Sequence, residues 1–125
     1  MRLICVVFVL LLVLMTSAQC QQTAEDWFNK GNDFLDKGFY DLAIKCCDEV
    51  LLTDPSHVGA WISKGIALNN KGKYDEAIKA SDEAIRLDPE HKWAWYTKGL
   101  ALKALGRTTE ANAAIAKAKE LGYEG

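Results

Sequence analysis

From about residue 24 onward, apolar and polar positions recur with the period of an α-helix in six successive stretches. Around residue 62 the apolar positions are Ala60, Trp61, Ile62, Ile66, Ala67 and Leu68, a spacing near 3.6 residues that lays one stripe along a helix. The stretch stops at Gly72, which can take the left-handed conformation that closes a helix. A second stretch runs from Asp75 to Leu87, with Ala77, Ile78, Ala84 and Ile85 on its inner side. Asp88-Pro89 ends it, because proline cannot continue the backbone ladder and biases its predecessor away from helix. The same pattern predicts helices over 25–37, 41–52, 58–71, 75–86, 92–105 and 109–121. Helices this short are marginal alone in water, so each needs a neighbour to cover its apolar stripe.

The six stretches form three copies of one unit. Trp27, Trp61 and Trp95 stand 34 residues apart, and so do Gly31, Gly65 and Gly99. Gly38, Gly72 and Gly106 keep the same period, as do Ala43, Ala77 and Ala111, and Asp54-Pro55 recurs as Asp88-Pro89. A period in this range marks a solenoid built from one supersecondary unit. In these residues the chain resembles the tetratricopeptide repeat family, whose 34-residue unit carries Trp, Gly, an aromatic or Leu, Ala and Pro at set offsets. Trp27, Gly31, Phe34, Tyr40, Ala43 and Pro55 fit that unit, and so do Trp61, Gly65, Leu68, Tyr74, Ala77 and Pro89. The third copy, with Trp95, Gly99, Leu102, Thr108 and Ala111, loses the tyrosine and puts Tyr123 where proline would stand. The resemblance spans roughly residues 24–123 and implies an all-α fold of three tandem helix–turn–helix repeats, 24–57, 58–91 and 92–125. Stacked, they would form a short right-handed α-solenoid that folds cooperatively along its length.

Residues 1–20 follow a different logic. Arg2 precedes an unbroken apolar run of 13 residues, Leu3 to Met15, followed by Thr16, Ser17, Ala18, Gln19 and Cys20. A charged start, a short apolar stretch and small residues at the exit match a secretory signal peptide. The run is shorter than the roughly 20 apolar residues that span a bilayer comfortably. Two cuts suit the pattern, after Ala18 with Thr16 upstream or after Cys20 with Ala18 upstream, and an uncleaved signal anchor is the alternative. Gln19 disfavours a lipid-modified Cys20. The expectation is an extracytoplasmic protein, secreted or in the cell envelope, or else one held to the membrane by its N-terminal segment.

Composition narrows the function. In 125 residues, half apolar and a quarter charged, the chain can make one domain with a modest core. A net charge of −2, with lysines spread among comparable acid, offers no basic face for nucleic acid.

Small residues imply close packing. Gly31, Gly65 and Gly99 sit mid-helix, where glycine costs roughly 1 kcal/mol against alanine. Paired helices therefore approach too closely there for a side chain, with Ala43, Ala77 and Ala111 expected opposite. The ends are legible too. Asp26 and Asp33 replace Ala60 and Ala94, and Ala67 and Ala101, on the face that would meet a preceding repeat, so the array starts there. Thr23 with Asp26 gives a weak capping-box signal at that point. The last helix interleaves Ala111, Ala114, Ile115, Ala118 and Leu121 with Lys117 and Lys119, a mildly apolar end read as solvated, with self-association into a homo-oligomer as the alternative.

The resemblance places function in a concave groove lined by the first helix of each repeat. By helical spacing that side presents Glu25, Phe28, Asn29 and Asn32, then Gly59, Ile62, Ser63, Ile66 and Asn69, then Trp93, Tyr96, Thr97, Leu100 and Lys103. The candidate partner-binding residues are Phe28, Asn32, Ile62, Ile66, Asn69, Trp93, Tyr96, Leu100 and Lys103, an apolar lining with asparagines beside it that can bond an extended backbone. Trp93 breaks the repeat, since the equivalent positions hold Glu25 and Gly59. Aromatic anchors of this kind dominate binding energy. The competing reading packs Trp93 and Tyr96 locally, against the turn or against Trp95. Chaperone-binding relatives grip a C-terminal carboxylate with two lysines, an arginine and two asparagines. The matching positions hold Phe28, Asn32, Ser63, Trp93 and Thr97, so chaperone tails are not expected.

Other reactive residues read as structural. His57 and His91 occupy the same place in successive turns, yet ligands on one zinc sit about 2 Å from it while packed helices lie roughly 10 Å apart, so both are expected as surface turn residues. Cys47 should face the core and Cys46 partly outward, where it can pair between chains in an exported protein. No nucleophile–base pair, phosphate loop or carboxylate pair suggests catalysis, and no cofactor or metal is expected. The sequence thus points to an exported module that binds an extended or helical peptide of an unidentified protein partner. The alternative is an assembly protein that self-associates or joins an envelope complex through its repeat ends.

Overall fold

A computed structural model of the chain describes residues 2–19 and 22–125, with only the backbone course over residues 11–19. The described residues form seven α-helices and no strand: α1 Arg2–Gln19, α2 Ala24–Asp36, α3 Tyr40–Thr53, α4 Val58–Asn70, α5 Tyr74–Leu87, α6 Lys92–Ala104 and α7 Thr108–Glu120. Each of the six predicted helices is present as α2–α7, with every end within one residue of its expected place. The helices pack in sequence order as hairpins, α2 on α3, α4 on α5 and α6 on α7, and each hairpin rests on the next. The first helices α2, α4 and α6 also touch their successors and so line one side of the stack.

Among the described residues α1 packs against no other helix. From Leu3 to Leu10 its apolar side chains are exposed, Leu3 by 81%. A 13-residue apolar run rises only about 20 Å, against about 30 Å of bilayer hydrocarbon. Among the described residues no helix is long and apolar enough to cross a membrane. Of the expected cleavage points, Cys20 lies outside the described residues.

Local chemistry sets each boundary. Thr23 caps α2: its hydroxyl accepts from Asp26 N–H at 3.2 Å, and the Asp26 carboxylate accepts from Thr23 N–H at 3.0 Å, the reciprocal box expected from the sequence. The two donations from Thr23, by N–H and by hydroxyl, hold the Asp26 carboxyl below its usual range. Within each hairpin the turn passes through a left-handed glycine, Gly38, Gly72 or Gly106, with φ of 79°, 78° and 76°. The residue after it donates back to the last turn, Phe39 to the Phe34 carbonyl at 2.8 Å, Lys73 to Leu68 and Arg107 to Leu102 both at 2.9 Å. This satisfies carbonyls the helix end would leave open. Between hairpins the Asp-Pro turns use the aspartate as an acceptor for backbone N–H, Asp54 from Ser56 and Asp88 from Glu90, each at 3.1 Å. α7 ends differently: Gly122 is a fourth left-handed glycine, φ 97°, standing where the earlier repeats have aspartate.

The tryptophan period has a bonding reason. The Trp61 indole N–H donates to the Pro55 carbonyl at 2.9 Å and that of Trp95 to the Pro89 carbonyl at 2.7 Å, so each tryptophan locks its repeat to the preceding turn. Lysine shares the period: Lys30, Lys64 and Lys98 lie over Trp27, Trp61 and Trp95, with ammonium-to-centroid distances of 5.1, 5.7 and 5.9 Å. The Lys64 and Lys98 ammoniums also pair with Asp48 and Asp82 of the preceding hairpin, at 2.6 and 2.7 Å.

The core is largely alanine. Ala60, Ala67, Ala77, Ala84, Ala94, Ala101 and Ala118 are fully buried, and Leu102 and Val50 are the largest apolar side chains buried as completely. Such a core requires short distances between helix axes, and the mid-helix glycines supply them. A Cβ on Gly31 would lie 3.0 Å from Cys46 Cβ, and one on Gly99 would lie 2.6 Å from Ile115 Cγ1. One on Gly65 would meet Ser81 Oγ and Thr97 Cγ2, both at 3.2 Å. The alanine carbonyls lie opposite as expected, 3.6, 3.5 and 3.3 Å away for Ala43, Ala77 and Ala111.

The two end faces are polar where inner faces are apolar. Asp26 and Asp33 are exposed on α2, and Asp33 pairs with Lys37 at 2.7 Å. On α7, exposed Asn112 and Lys119 occupy the repeat positions of Ile44 and Ile78, and of Leu51 and Ile85. Ile78 packs on Leu102 and Ala111 of the following hairpin, and Ile85 packs beside Ala94. The largest available test of this close packing is Gly65→Leu, which puts a side chain into space already held by Ser81 and Thr97. Overpacking there should lower the melting temperature by roughly 5–20 °C, and an unchanged thermal transition would show that the glycine is not a packing requirement.

Candidate partner-binding groove

The side shared by α2, α4 and α6 carries the predicted site, and packing divides its residues into three groups. Some are core. Ile62 is only 6% exposed and sits among Ala84, Ala94, Val58 and Ile85, so it is a core residue and not part of an exposed lining. Ser63 and Thr97 are buried as well. The reason is common to all three: α4 and α6 are flanked by helices on both sides, which widens the buried stripe beyond what one helix's periodicity shows.

A second group is half-buried and engaged between repeats. The Phe28 ring packs against the His57 imidazole, centroids 4.6 Å apart, and lies over Gly59, where a Cβ would come within 2.9 Å of Phe28 Cζ. Asn32 Oδ1 accepts from the Ser63 hydroxyl at 2.8 Å. Asn69 Nδ2 donates to the Thr97 carbonyl at 3.0 Å, and its Oδ1 is buried without a partner. Both asparagines thus clip one repeat to the next, and this engagement corrects the expectation that they stand free for an extended backbone.

The third group is open and belongs mainly to α6. Trp93 is 46% and Leu100 40% exposed, Lys103 is exposed, and Ile66 of α4 is half-buried. Tyr96 is half-buried for a reason the sequence reading missed. Tyr123, from the segment after α7, stacks on it with centroids 4.0 Å apart and an interplanar angle of 23°. Trp93 stands nearly perpendicular to both rings, 6.2 Å from Tyr96 and 5.2 Å from Tyr123. The Lys92 ammonium donates to the Gly122 carbonyl at 3.1 Å and holds this segment against α6. The adjacent Tyr96 hydroxyl pushes the Tyr123 phenol above its ordinary range. A signal for this was present in the sequence, since Tyr123 is the one departure from Pro55 and Pro89 in its column.

The histidines keep their expected place and Cys46 does not. His57 and His91 lie in the inter-hairpin turns, as expected, and there take the N-cap positions of α4 and α6, half-buried. His57 Nδ1 accepts from Ala60 N–H at 3.0 Å, while His91 Nδ1 is buried without a partner. Cys46 is 3% exposed and not partly outward, because side-chain-free Gly31 lets its Cβ settle against α2. Burial raises the Cys46 thiol and pushes Cys47 to about 12.

With the fold and site in place, comparison with known proteins decides the family. The tetratricopeptide repeat family model matches residues 28–92 and 70–122. The chain belongs to the tetratricopeptide repeat family. It is therefore a protein–protein interaction module, on a fold that is typically a non-catalytic scaffold. No curated protein sequence matches it. Among solved structures, the first such domain of human RPAP3 is 25% identical, with a TM-score of 0.78, covering 82% of this chain and 80% of that one. The second such domain of Spaghetti (RPAP3), bound to the HSP90 peptide SRMEEVD, is 28% identical, TM-score 0.76, covering 85% of this chain and 98% of that one. MamA is 26% identical, TM-score 0.74, over 83% of this chain and 60% of that one. The peptide-bound relative weighs weakly against the expectation that chaperone tails are not bound here.

Burial of both thiols has a direct consequence. Cys46 and Cys47 should resist a thiol reagent such as iodoacetamide at pH 8 in the native repeat domain and react in denaturant, since only the thiolate attacks. Labelling of either in the native state, read by mass spectrometry, would contradict the packing.

Proposed function

We propose that this chain is an exported tetratricopeptide repeat module that holds an extended or helical peptide of a partner protein against α6 and the neighbouring part of α4. The observation that carries the reading is the exposure of Trp93 and Leu100 on the side shared by the first helices, with Ile66, Tyr96 and Lys103 around them. The equivalents of Trp93 are Glu25 and Gly59, so repeat packing does not require a tryptophan there. A large aromatic left open at a position the scaffold does not need is the usual mark of a binding anchor. That the Spaghetti relative is bound to a peptide supports peptide binding as the use of this fold. The assembly reading is weaker, because Asp26, Asp33, Asn112 and Lys119 make both end faces polar.

Recognition here is apolar and aromatic. At the positions that match the carboxylate clamp, Phe28, Ser63, Trp93 and Thr97 supply no cation, and Ser63 and Thr97 are buried. Export is proposed from the residue order of the N-terminal segment, whose helix α1 makes no contact with the repeats among the described residues.

Peptides selected by display on residues 22–125 test the groove. They should bind the Trp93→Ala, Tyr96→Ala double variant about thirtyfold or more weakly, while its far-UV helicity is retained. The peptide SRMEEVD should show no measurable binding to the same domain. Selected peptides that ignore the double substitution would refute the groove. Expression with the full N-terminal segment tests export: the mass of the secreted chain should correspond to a start at Gln19 or Gln21, and retention of the intact chain in the cytoplasm would count against it.

A further inference from the structure

The segment 122–125 is placed unlike any other turn in the protein. In repeats one and two, a residue of the next repeat packs on the residue at the Tyr96 position: Gly59 on Phe28 and Ala94 beside Ile62. Tyr96 is covered by Tyr123 instead, a side chain that stands in the column of Pro55 and Pro89. Left-handed Gly122 releases the chain from α7 and directs it back across α6. Beyond the turn that closes α7, the segment is held by little: one hydrogen bond from Lys92 to the Gly122 carbonyl and the ring contacts of Tyr123 with Tyr96 and Trp93. Lys92, Trp93, Gly122, Tyr123, Glu124 and Gly125 line one cleft.

Two features give that cleft a chemical preference. Tyr123 touches the rings of both Trp93 and Tyr96, a pair of surfaces that suits an aromatic side chain. Lys92 lines the cleft together with Glu124, and Asp88 and Glu90 lie on the other side of Lys92. The occupant seen there offers a tyrosine followed directly by a glutamate.

Resting on the groove reading above, we propose that residues 122–125 are an internal ligand. Tyr123 occupies the place that an aromatic side chain of the partner takes, and the partner segment carries an aromatic residue followed by an acidic one. Binding displaces Tyr123 from Tyr96, so the closed segment weakens partner affinity in proportion to the fraction of molecules in which it is seated.

The test uses residues 22–125 as wild type, Tyr123→Ala and Tyr123→Phe, with a blocked synthetic peptide Leu-Gly-Tyr-Glu-Gly as the probe and its tyrosine-to-alanine version as control. Tyr123→Ala should bind the probe about tenfold more tightly than wild type, Tyr123→Phe should bind it as wild type does, and the control peptide should bind to none of them. Adding Trp93→Ala to Tyr123→Ala should abolish probe binding while far-UV helicity and the cooperative thermal transition persist. Equal affinity of wild type and Tyr123→Ala for the probe, or no binding by Tyr123→Ala, overturns the internal ligand. If display-selected peptides still require Trp93 and Tyr96 but bind Tyr123→Ala no better than wild type, the internal ligand fails and the groove stands. If they require neither ring, both readings fail.

Discussion

Close approach at a bare glycine sets the distance between the two helices of every hairpin, and the rest of the molecule follows from that distance. A Cβ on Gly31 would come within 3.0 Å of Cys46, one on Gly65 within 3.2 Å of Ser81 and Thr97, and one on Gly99 within 2.6 Å of Ile115. Helices that close leave space for little but alanine between them, which is why the core is a ladder of buried alanines with few large side chains. Interiors pack to a fixed density, so the small residues on both partners are one requirement met twice. Each hairpin alone buries too little apolar surface to hold its shape, and stability is distributed over the repeated interfaces between hairpins.

Those interfaces are joined by polar links as regular as the apolar ones. The indole-to-proline-carbonyl bonds of Trp61 and Trp95, and the Lys64–Asp48 and Lys98–Asp82 pairs, tie each first helix to the hairpin before it. The ion pairs are part-exposed and contribute modestly, but the indole bonds satisfy turn carbonyls while their rings pack under lysine stems. At the ends of the stack the surface becomes polar: Asp26 and Asp33 are exposed on α2, and α7 carries Asn112 and Lys119 in place of the isoleucines and leucine of the earlier repeats.

The parts most open to a partner are departures from the repeat. Trp93 replaces glutamate and glycine, Lys92 replaces Val58, and Tyr123 replaces two prolines, and all three converge on the start of α6. None of these residues builds the stack, and each costs the scaffold nothing to vary. A repeat protein separates the two tasks in this way because the columns needed for packing are few, leaving the remaining positions free to specialise.

Helix period, the 34-residue spacing and the glycine and Asp-Pro punctuation were sufficient by themselves to define six helices to within a residue at each end, their pairing and the polar start at Asp26 and Asp33. Each of these depends on local backbone preference or on one helix's apolar stripe, both of which are properties of neighbours in sequence. The candidate site was legible only in part. Trp93, Leu100 and Lys103 stand out in the sequence and are exposed, but Ile62 is buried, Asn32 and Asn69 are bonded across repeats, and Tyr123 lies on Tyr96. Cys46, read as partly outward, is enclosed because the residue opposite it has no side chain. Exposure and bonding at those positions are set by parts of the chain 15 to 32 residues away. A helix flanked on two sides buries more of its circumference than its own periodicity reveals, so only the assembled stack decides which side chains remain free.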